Sequence, residues 1–332
     1  MKILRRSLIV AMLSLAVVGC KPTGEAPAPQ VTKAAPFKIA FNTWLGYSPL
    51  IIAKEKGFLA KRGLDAQVTF LEGIGEKNAA LLRGDIDGVG HTADSAVTSA
   101  SAGVDGQIVY VFDESYGADG VLAAKSIQKV ADLKGKRVAL EPGFTGHFFV
   151  LSLLEDAGLA AKDINVVSME TGNAGSAFVA GKVDAAATWE PWISKAAQRS
   201  DGKILVTSRD RPGRIIDVLF MNRRTIEERP DDIRKLTAAL DEAVNWYRQH
   251  QTEGDQIIAK FWKLPLDEAK ATVAGVRFMN GRENAAFFGT STAPGQLAKT
   301  IESANRLWAT AGVIKAPIAQ PGHLVYYGGG SN

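Results

Sequence analysis

Phe37-Lys38-Ile39-Ala40-Phe41 alternates apolar with small or polar residues as a strand does, and Asn42-Thr43-Trp44-Leu45-Gly46-Tyr47-Ser48 is a polar-aromatic loop. Pro49-Leu50-Ile51-Ile52-Ala53-Lys54-Glu55-Lys56 then reads as a helix that Gly57 stops. This strand, loop and helix recur along the chain. Asp65 to Leu71 repeats the strand pattern, Lys77 to Arg83 is helical, and Gly84 to Gly90 turns into another short strand. Further strand patterns fall at Gln107 to Phe112, Arg137 to Leu140, Asn165 to Ser168 and Val183 to Thr188, with helical stretches at Phe148 to Ala157 and Gly175 to Ala180. Repeated β-then-α units predict an α/β fold with mostly parallel sheets covered on both faces. From Asp231 onward helix follows helix, through Ile233 to His250, Asp255 to Trp262, Leu266 to Val276 and Ala293 to Ala311, and these are expected to pad the body built by the first half.

Before this body lies a different kind of sequence. Arg5 and Arg6 precede a largely apolar run from Leu8 to Val18, too short to span a bilayer as a mature helix, which takes about 20 residues. Val17-Val18-Gly19-Cys20 resembles a lipobox, with residues 1–19 as signal peptide and Cys20, the chain's one cysteine, as the lipidated first residue of the mature protein. Residues 20–36, rich in Pro and Ala, then form a flexible tether. This predicts a protein anchored by lipid to a bacterial membrane, in the periplasm or at the cell surface. The formal charge of +4 falls to +1 when Lys2, Arg5 and Arg6 leave with the signal, and no block of Lys and Arg interleaved with aromatics appears. Nucleic acid is therefore excluded as a partner. With Cys20 committed to the anchor, no thiol is left for a disulfide, a Cys-based metal site or a Cys nucleophile.

Several stretches together resemble the solute-binding proteins of ABC importers, in the family that includes the nitrate, taurine, aliphatic-sulfonate and thiamin-pyrimidine binding proteins. The residues that carry the resemblance are Trp44 to Leu50, Ala53 to Leu59, Gly63-Leu64-Asp65, Leu82 to Asp87, Asp132 to Ala139 and Ala180 to Ala186. It implies a two-lobed clamshell of the type II periplasmic binding protein kind, with two mixed sheets flanked by helices and a cleft between the lobes. Lobe one would comprise residues 37–123 and 218–325, lobe two residues 124–217, and residues 326–332 a flexible tail. Closure on the ligand would be a hinge motion about the two crossovers. A monomer that hands its ligand to a permease in the inner membrane, with no cofactor, is the expectation.

Ligands of open α/β sheets bind beyond the carboxyl ends of strands, so the candidate site is sought in the loops there. After the first strand these are Asn42, Trp44 and Tyr47, and after the third His91, Thr92 and Asp94, which in the resembling family line lobe one's side of the cleft. On the other side, Gly143, Thr145, Gly146 and His147 open a helix whose free N–H groups suit an anionic or carbonyl oxygen. The resemblance implies an anion held there by a small hydroxylated residue. Thr145 fits that role, or serves as an ordinary N-cap, while Phe144 and Gly146 depart from the serine-rich turn of sulfonate binders. Trp189 and Glu190, within Thr188-Trp189-Glu190-Pro191-Trp192, suit a wall that encloses a ligand and fixes one donor group. Asp94, Asp113, Glu114, Asp119, Glu190 and Asp217 all lie near predicted strand ends or crossovers. If a few of them face the cleft without a basic partner, an amine-bearing or zwitterionic ligand is favoured over an anion, and Arg211 and Arg214 are the candidates to neutralise them.

Enzyme readings find little purchase. His91, His147, His250 and His323 are widely spaced, and Gly-x-Ser-x-Gly, a Walker A loop and a full G-x-G-x-x-G are absent. Thiamin-pyrimidine synthases share the implied fold, but their chemistry goes with a cysteine-rich segment this chain lacks. The expectation is a receptor that captures a small polar organic solute, with an exported sensor for a signalling partner as the alternative.

Overall fold

The computed structural model describes residues 35–328; the expected signal peptide, Cys20, most of the expected tether and the last four residues lie outside them. Eleven strands are present among the described residues: β1 (Phe37–Phe41), β2 (Ala66–Phe70), β3 (Gly88–Thr92), β4 (Gly106–Ser115), β5 (Asp119–Ala124), β6 (Arg137–Leu140), β7 (Asn165–Ser168), β8 (Ala185–Trp189), β9 (Gly202–Thr207), β10 (Ile216–Asn222) and β11 (Val276–Phe278). They form a six-stranded sheet in the order β11-β4-β10-β3-β1-β2 and a five-stranded sheet in the order β7-β6-β8-β5-β9. The opening reading holds locally: β1 is followed by the helix Ser48–Glu55, and Gly57, at φ +74°, adopts the left-handed conformation that ends it.

The sheets are mixed rather than mostly parallel. β1 runs parallel to β2 and β3, and β6 parallel to β7 and β8, whereas β10 and β5 each run antiparallel to both neighbours. Both are strands by which the chain enters a sheet from the other one. β5 is buried at all its positions, so its sequence is a short apolar run without the alternation that marks a half-exposed strand.

Pairing also moves the lobe boundaries. Residues 119–123 belong to β5 and hence to the second sheet, so the first crossover is residues 116–118, ahead of the expected break after 123. The second lies between β9 and β10, and Ile216 and Asp217 already pair with the first sheet. The two crossovers run side by side: Ser115 Oγ and Ser208 Oγ are 2.9 Å apart, and Gly117 N donates to Ser208 Oγ at 2.7 Å.

Alternation along the strands covers each sheet on both faces. Ile39 and Leu219 pack into a cluster with the helices Ser48–Glu55, Pro230–Gln249 and Gln251–Trp262, while their neighbours Ala40 and Phe220 face a second cluster with the helices Ala93–Ser101 and Gln296–Thr310. Smaller clusters cover the second sheet. The later helices pad the first sheet as expected, but Gln296–Thr310 also reaches the second lobe. Trp308 lies 5.3 Å from the His147 ring and 5.9 Å from Phe148, and Arg306 pairs with Glu155. The expected tail begins late, because Tyr326 N donates to Ile108 O at 3.0 Å beside the bridge of Val325 to Ile108.

Behind the β1 loop, Phe41 and Tyr47 stack at 4.6 Å, and Phe112 meets both edge-on at 6.0 and 5.5 Å. Phe112 is wholly buried. Phe112→Ala is expected to destabilise the protein by about 3–5 kcal/mol through lost burial and the cavity left behind, read as a lowered urea midpoint with unchanged slope.

Candidate functional site

Strand register assembles the site. Asp217 at the start of β10 lies opposite Thr92 at the end of β3 on one side and opposite Asp113 on β4 on the other. In the second sheet Asp119, the first residue of β5, lies opposite Trp189, the last of β8. β5 and β10 begin just after the crossovers, and Asp119 and Asp217, at or next to their starts, both line the cavity at the boundary between the sheets. The cavity there is lined from the first sheet by Asn42, Trp44, Tyr47, His91, Thr92 and Asp217, and from the second by Asp119, Phe144, Thr145 and Trp189, with Ile215 from the second crossover.

The cavity measures about 20 Å³, room for about one water. Thr92 Oγ1 and Thr145 Oγ1 lie 2.8 Å apart across it, and Phe144 approaches Trp189 at 6.1 Å between ring centres. The two sheets' loops therefore meet here, and the space left between them is small.

Eight of the residues expected to bind ligand line the cavity: Asn42, Trp44, Tyr47, His91, Thr92, Thr145, Trp189 and Asp217. Five do not. Asp94 is buried on the helix that follows β3. Gly143 N donates to His147 Nδ1 at 3.1 Å, and the His147 ring packs on Trp308. A Cβ on Gly146 would come 3.2 Å from Ala187 Cβ, so Gly146 serves close packing of helix on sheet. Glu190 turns to the helix Trp192–Lys195, accepting from Ser194 N at 3.1 Å and Ser194 Oγ at 2.9 Å. Trp192, the neighbouring aromatic, covers Gly175. Thr145 is not an N-cap: Phe144 holds that position, and the Thr145 hydroxyl meets Thr92 instead.

Phe144 and Ile215 were not foreseen as lining residues, nor was Lys77 as a buried neighbour. Gly46 has a sharper role. A Cβ there would fall 2.0 Å from Asp113 Oδ2 and 2.2 Å from Trp44 Nε1, so the loop passes the carboxylate only as glycine.

The electrostatics of the site are acidic. Burial pushes the Asp94 and Asp119 carboxyls up to about 7; hydrogen bonds from Thr92 and Ser95 oppose the shift at Asp94 and one from Ser115 opposes it at Asp119, where the Glu190 charge adds to it. Asp113 and Asp217 are raised well above the usual carboxylate range, first by burial and then by neighbouring charge, that of Asp119 at Asp113 and those of Asp113 and Asp119 at Asp217, where the nearby Tyr47 hydroxyl, which donates to Asn42 Oδ1 at 3.3 Å, opposes the shift. The Trp44 indole N–H favours ionised Asp113, yet Trp44 Nε1, both Asp113 oxygens and Asp94 Oδ1 are buried without a partner in hydrogen-bond geometry. Lys77, wholly buried, is brought down to about 7 by burial against the pull of Glu72 and Asp217; its Nζ donates to Asn42 Oδ1 at 2.6 Å and Gly90 O at 2.9 Å. Burial, reinforced by Lys77, keeps His91 neutral, its Nε2 2.8 Å from Ser99 Oγ. Burial likewise lowers His147 to about 4. Arg211 and Arg214 pair with Asp156 at 3.2 and 3.1 Å and take no part.

Two mixed α/β lobes, two short crossovers and a cavity at their boundary define a periplasmic binding protein fold. The chain belongs to the NMT1-like family, whose model matches residues 30–262. A Bacillus subtilis (strain 168) relative, assigned by name alone to the aliphatic sulfonates-binding proteins, is 28% identical over 253 residues, 74% of each chain. The nitrate/nitrite binding protein NrtA of Synechocystis (strain PCC 6803) is 26% identical over 292 residues, 77% of this chain and 64% of the relative. The crystal structure of the periplasmic aliphatic sulphonate binding protein SsuA from Escherichia coli superposes with a TM-score of 0.72 at 22% identity, covering 90% of this chain and 94% of that one.

The raised carboxyl pKa values carry a stability consequence. A carboxyl whose folded pKa lies above its unfolded value stabilises the fold fully below the unfolded value, and that contribution is lost as pH rises through the folded one. Ligand-free protein is therefore expected to lose stability between about pH 4 and pH 7 and beyond, by up to about 1.4 kcal/mol per pH unit for each titrating group. Asp113→Asn should flatten this fall and raise stability at pH 8, as measured by urea unfolding at a series of pH values.

Proposed function

We propose that the protein is the exported receptor of an ABC importer: tethered by lipid at Cys20, it captures a small polar organic solute between its lobes and delivers it to a permease. The observation that carries this reading is the cavity itself. It is walled by both sheets and sits beside two short, mutually hydrogen-bonded crossovers, so one hinge motion opens or closes it. Relatives named for solute binding support the reading, and the lipobox-like Val17 to Cys20 supports attachment outside the cytoplasm.

No chemistry is assigned to the site. The contact of His91 with Ser99 does not present a nucleophile, since Ser99 does not line the cavity, and a neutral buried His91 serves as a hydrogen-bonding wall. Recognition instead rests on exclusion of water and a few well-placed polar groups. A micromolar solute requires about 8 kcal/mol net.

Binding is tested by melting the purified protein against a panel of small sulfonates, inorganic anions, amines and zwitterions. A ligand at roughly 100 times its dissociation constant adds about 2.7 kcal/mol, seen as a raised melting temperature. No response across all four classes would overturn the receptor assignment. Attachment is tested separately: Cys20→Ser should move the protein from the membrane fraction to the soluble fraction of lysed cells, with ligand binding unchanged.

A further inference from the structure

Relatives of this chain are named for aliphatic sulfonates, taurine and nitrate, all of which carry an anionic group, yet the walls of this cavity carry the same sign. Asp119 and Asp217 both line it, from opposite sheets, and are 7% and 3% exposed. Asp113 lies next to Asp217 in register, with both of its oxygens buried and unpartnered, and Asp94, behind Thr92, has one unpartnered oxygen. No lysine or arginine lines the cavity. Lys77 is held by Asn42 and Gly90, while Arg211 and Arg214 are held by Asp156.

An anion placed here would meet two carboxyls at contact range and two more behind them. The Thr145 hydroxyl at the helix start is already bonded to Thr92. A cation meets the reverse situation. Four aromatic side chains, Trp44, Tyr47, Phe144 and Trp189, line the same space, and ring faces attract cations most strongly where water is excluded.

The acids do not converge on one point. Among the described residues no three His, Cys, Asp or Glu side chains are placed to hold a metal ion. Carboxyls spread over opposite walls suit a charge delocalised over, or carried by, several N–H donors pointing different ways. We infer that the cavity is built to capture a small organic cation rich in N–H donors, bridged between Asp119 of one lobe and Asp217 of the other and enclosed by the surrounding aromatic rings. Bridging ties recognition to closure, since the two carboxyls belong to different sheets and a cation between them favours the ionised form of both. The small cavity favours a small cation over a bulky one. This inference rests on the receptor reading above and specifies the class of its ligand.

Calorimetry on the purified protein at pH 7.5 would compare methylammonium, guanidinium and choline with taurine, methanesulfonate and nitrate. Saturable one-to-one binding of methylammonium or guanidinium is expected, with choline at least tenfold weaker because of its bulk and lack of N–H donors, and with no heat from the anions. Asp119→Asn and Asp217→Asn should each weaken the cation at least tenfold. Binding of taurine, methanesulfonate or nitrate in place of the cations would overturn the inference and leave the receptor reading standing, and silence from all six would overturn both. Cation binding that survives both Asn variants unchanged would overturn the assignment to this cavity. The comparison among ligands uses the unsubstituted protein, so it decides the question even if an Asn variant fails to fold.

Discussion

Buried carboxyls at the place where the chain passes between its two sheets constrain the rest of the site. Asp113 lies near the end of the strand that leaves the first sheet, Asp119 begins the strand that enters the second, and Asp217 is the second residue of the strand that returns. Burying a carboxylate without a counter-charge or hydrogen bonds costs several kcal/mol, so each of these groups is pushed toward its protonated form. Gly46 makes room for one of them, and the Tyr47 hydroxyl opposes the shift of another. Ser115 partly offsets the third.

Closure of the lobes is also supported by contacts away from these acids. Phe148 and Leu151 of the second lobe share an apolar cluster with Trp308, Leu297 and Ile301. Trp308 Nε1 donates to Asp94 O at 3.0 Å, which links the last long helix to the segment carrying Thr92 and Asp94. Apolar burial of this kind favours the closed form with or without a ligand, at roughly 25 cal/mol per Å². Burial of the carboxyls at the lobe boundary opposes it. These two terms act with opposite sign at the lobe boundary.

Much of the architecture was legible in local pattern. The strand at Phe37 to Phe41, the helix stop at Gly57 and the strands Arg137–Leu140 and Asn165–Ser168 were read from local residue patterns and turn residues. β5 and β10 were not legible, since strands buried on both faces lose apolar–polar alternation. This omission displaced the lobe boundaries and hid the antiparallel half of each sheet. At the site, Trp44, Tyr47, Thr92 and Thr145 were found because they follow strands in a crossover fold. Glu190 and His147 occupy equivalent loop positions but turn to Ser194 and Trp308, a choice of rotamer and packing that leaves no trace in spacing.

The sequence by itself determined the alternation of strands and helices, the export-like N-terminus and the set of acidic residues near strand ends, because each depends on residues close together in the chain. Only the tertiary structure decided which acids meet. Thr92, Asp217 and Asp113 lie more than 100 residues from end to end yet stand side by side through strand register, and Asp119 joins them because a three-residue crossover brings β5 against them. Arg211 and Arg214, nearer to Asp217 in sequence than any other acid-neutralising candidate, are drawn off to Asp156 on the outside of the second lobe. Charge compensation is a matter of distances of a few ångströms between groups remote in sequence, and folding alone sets those distances.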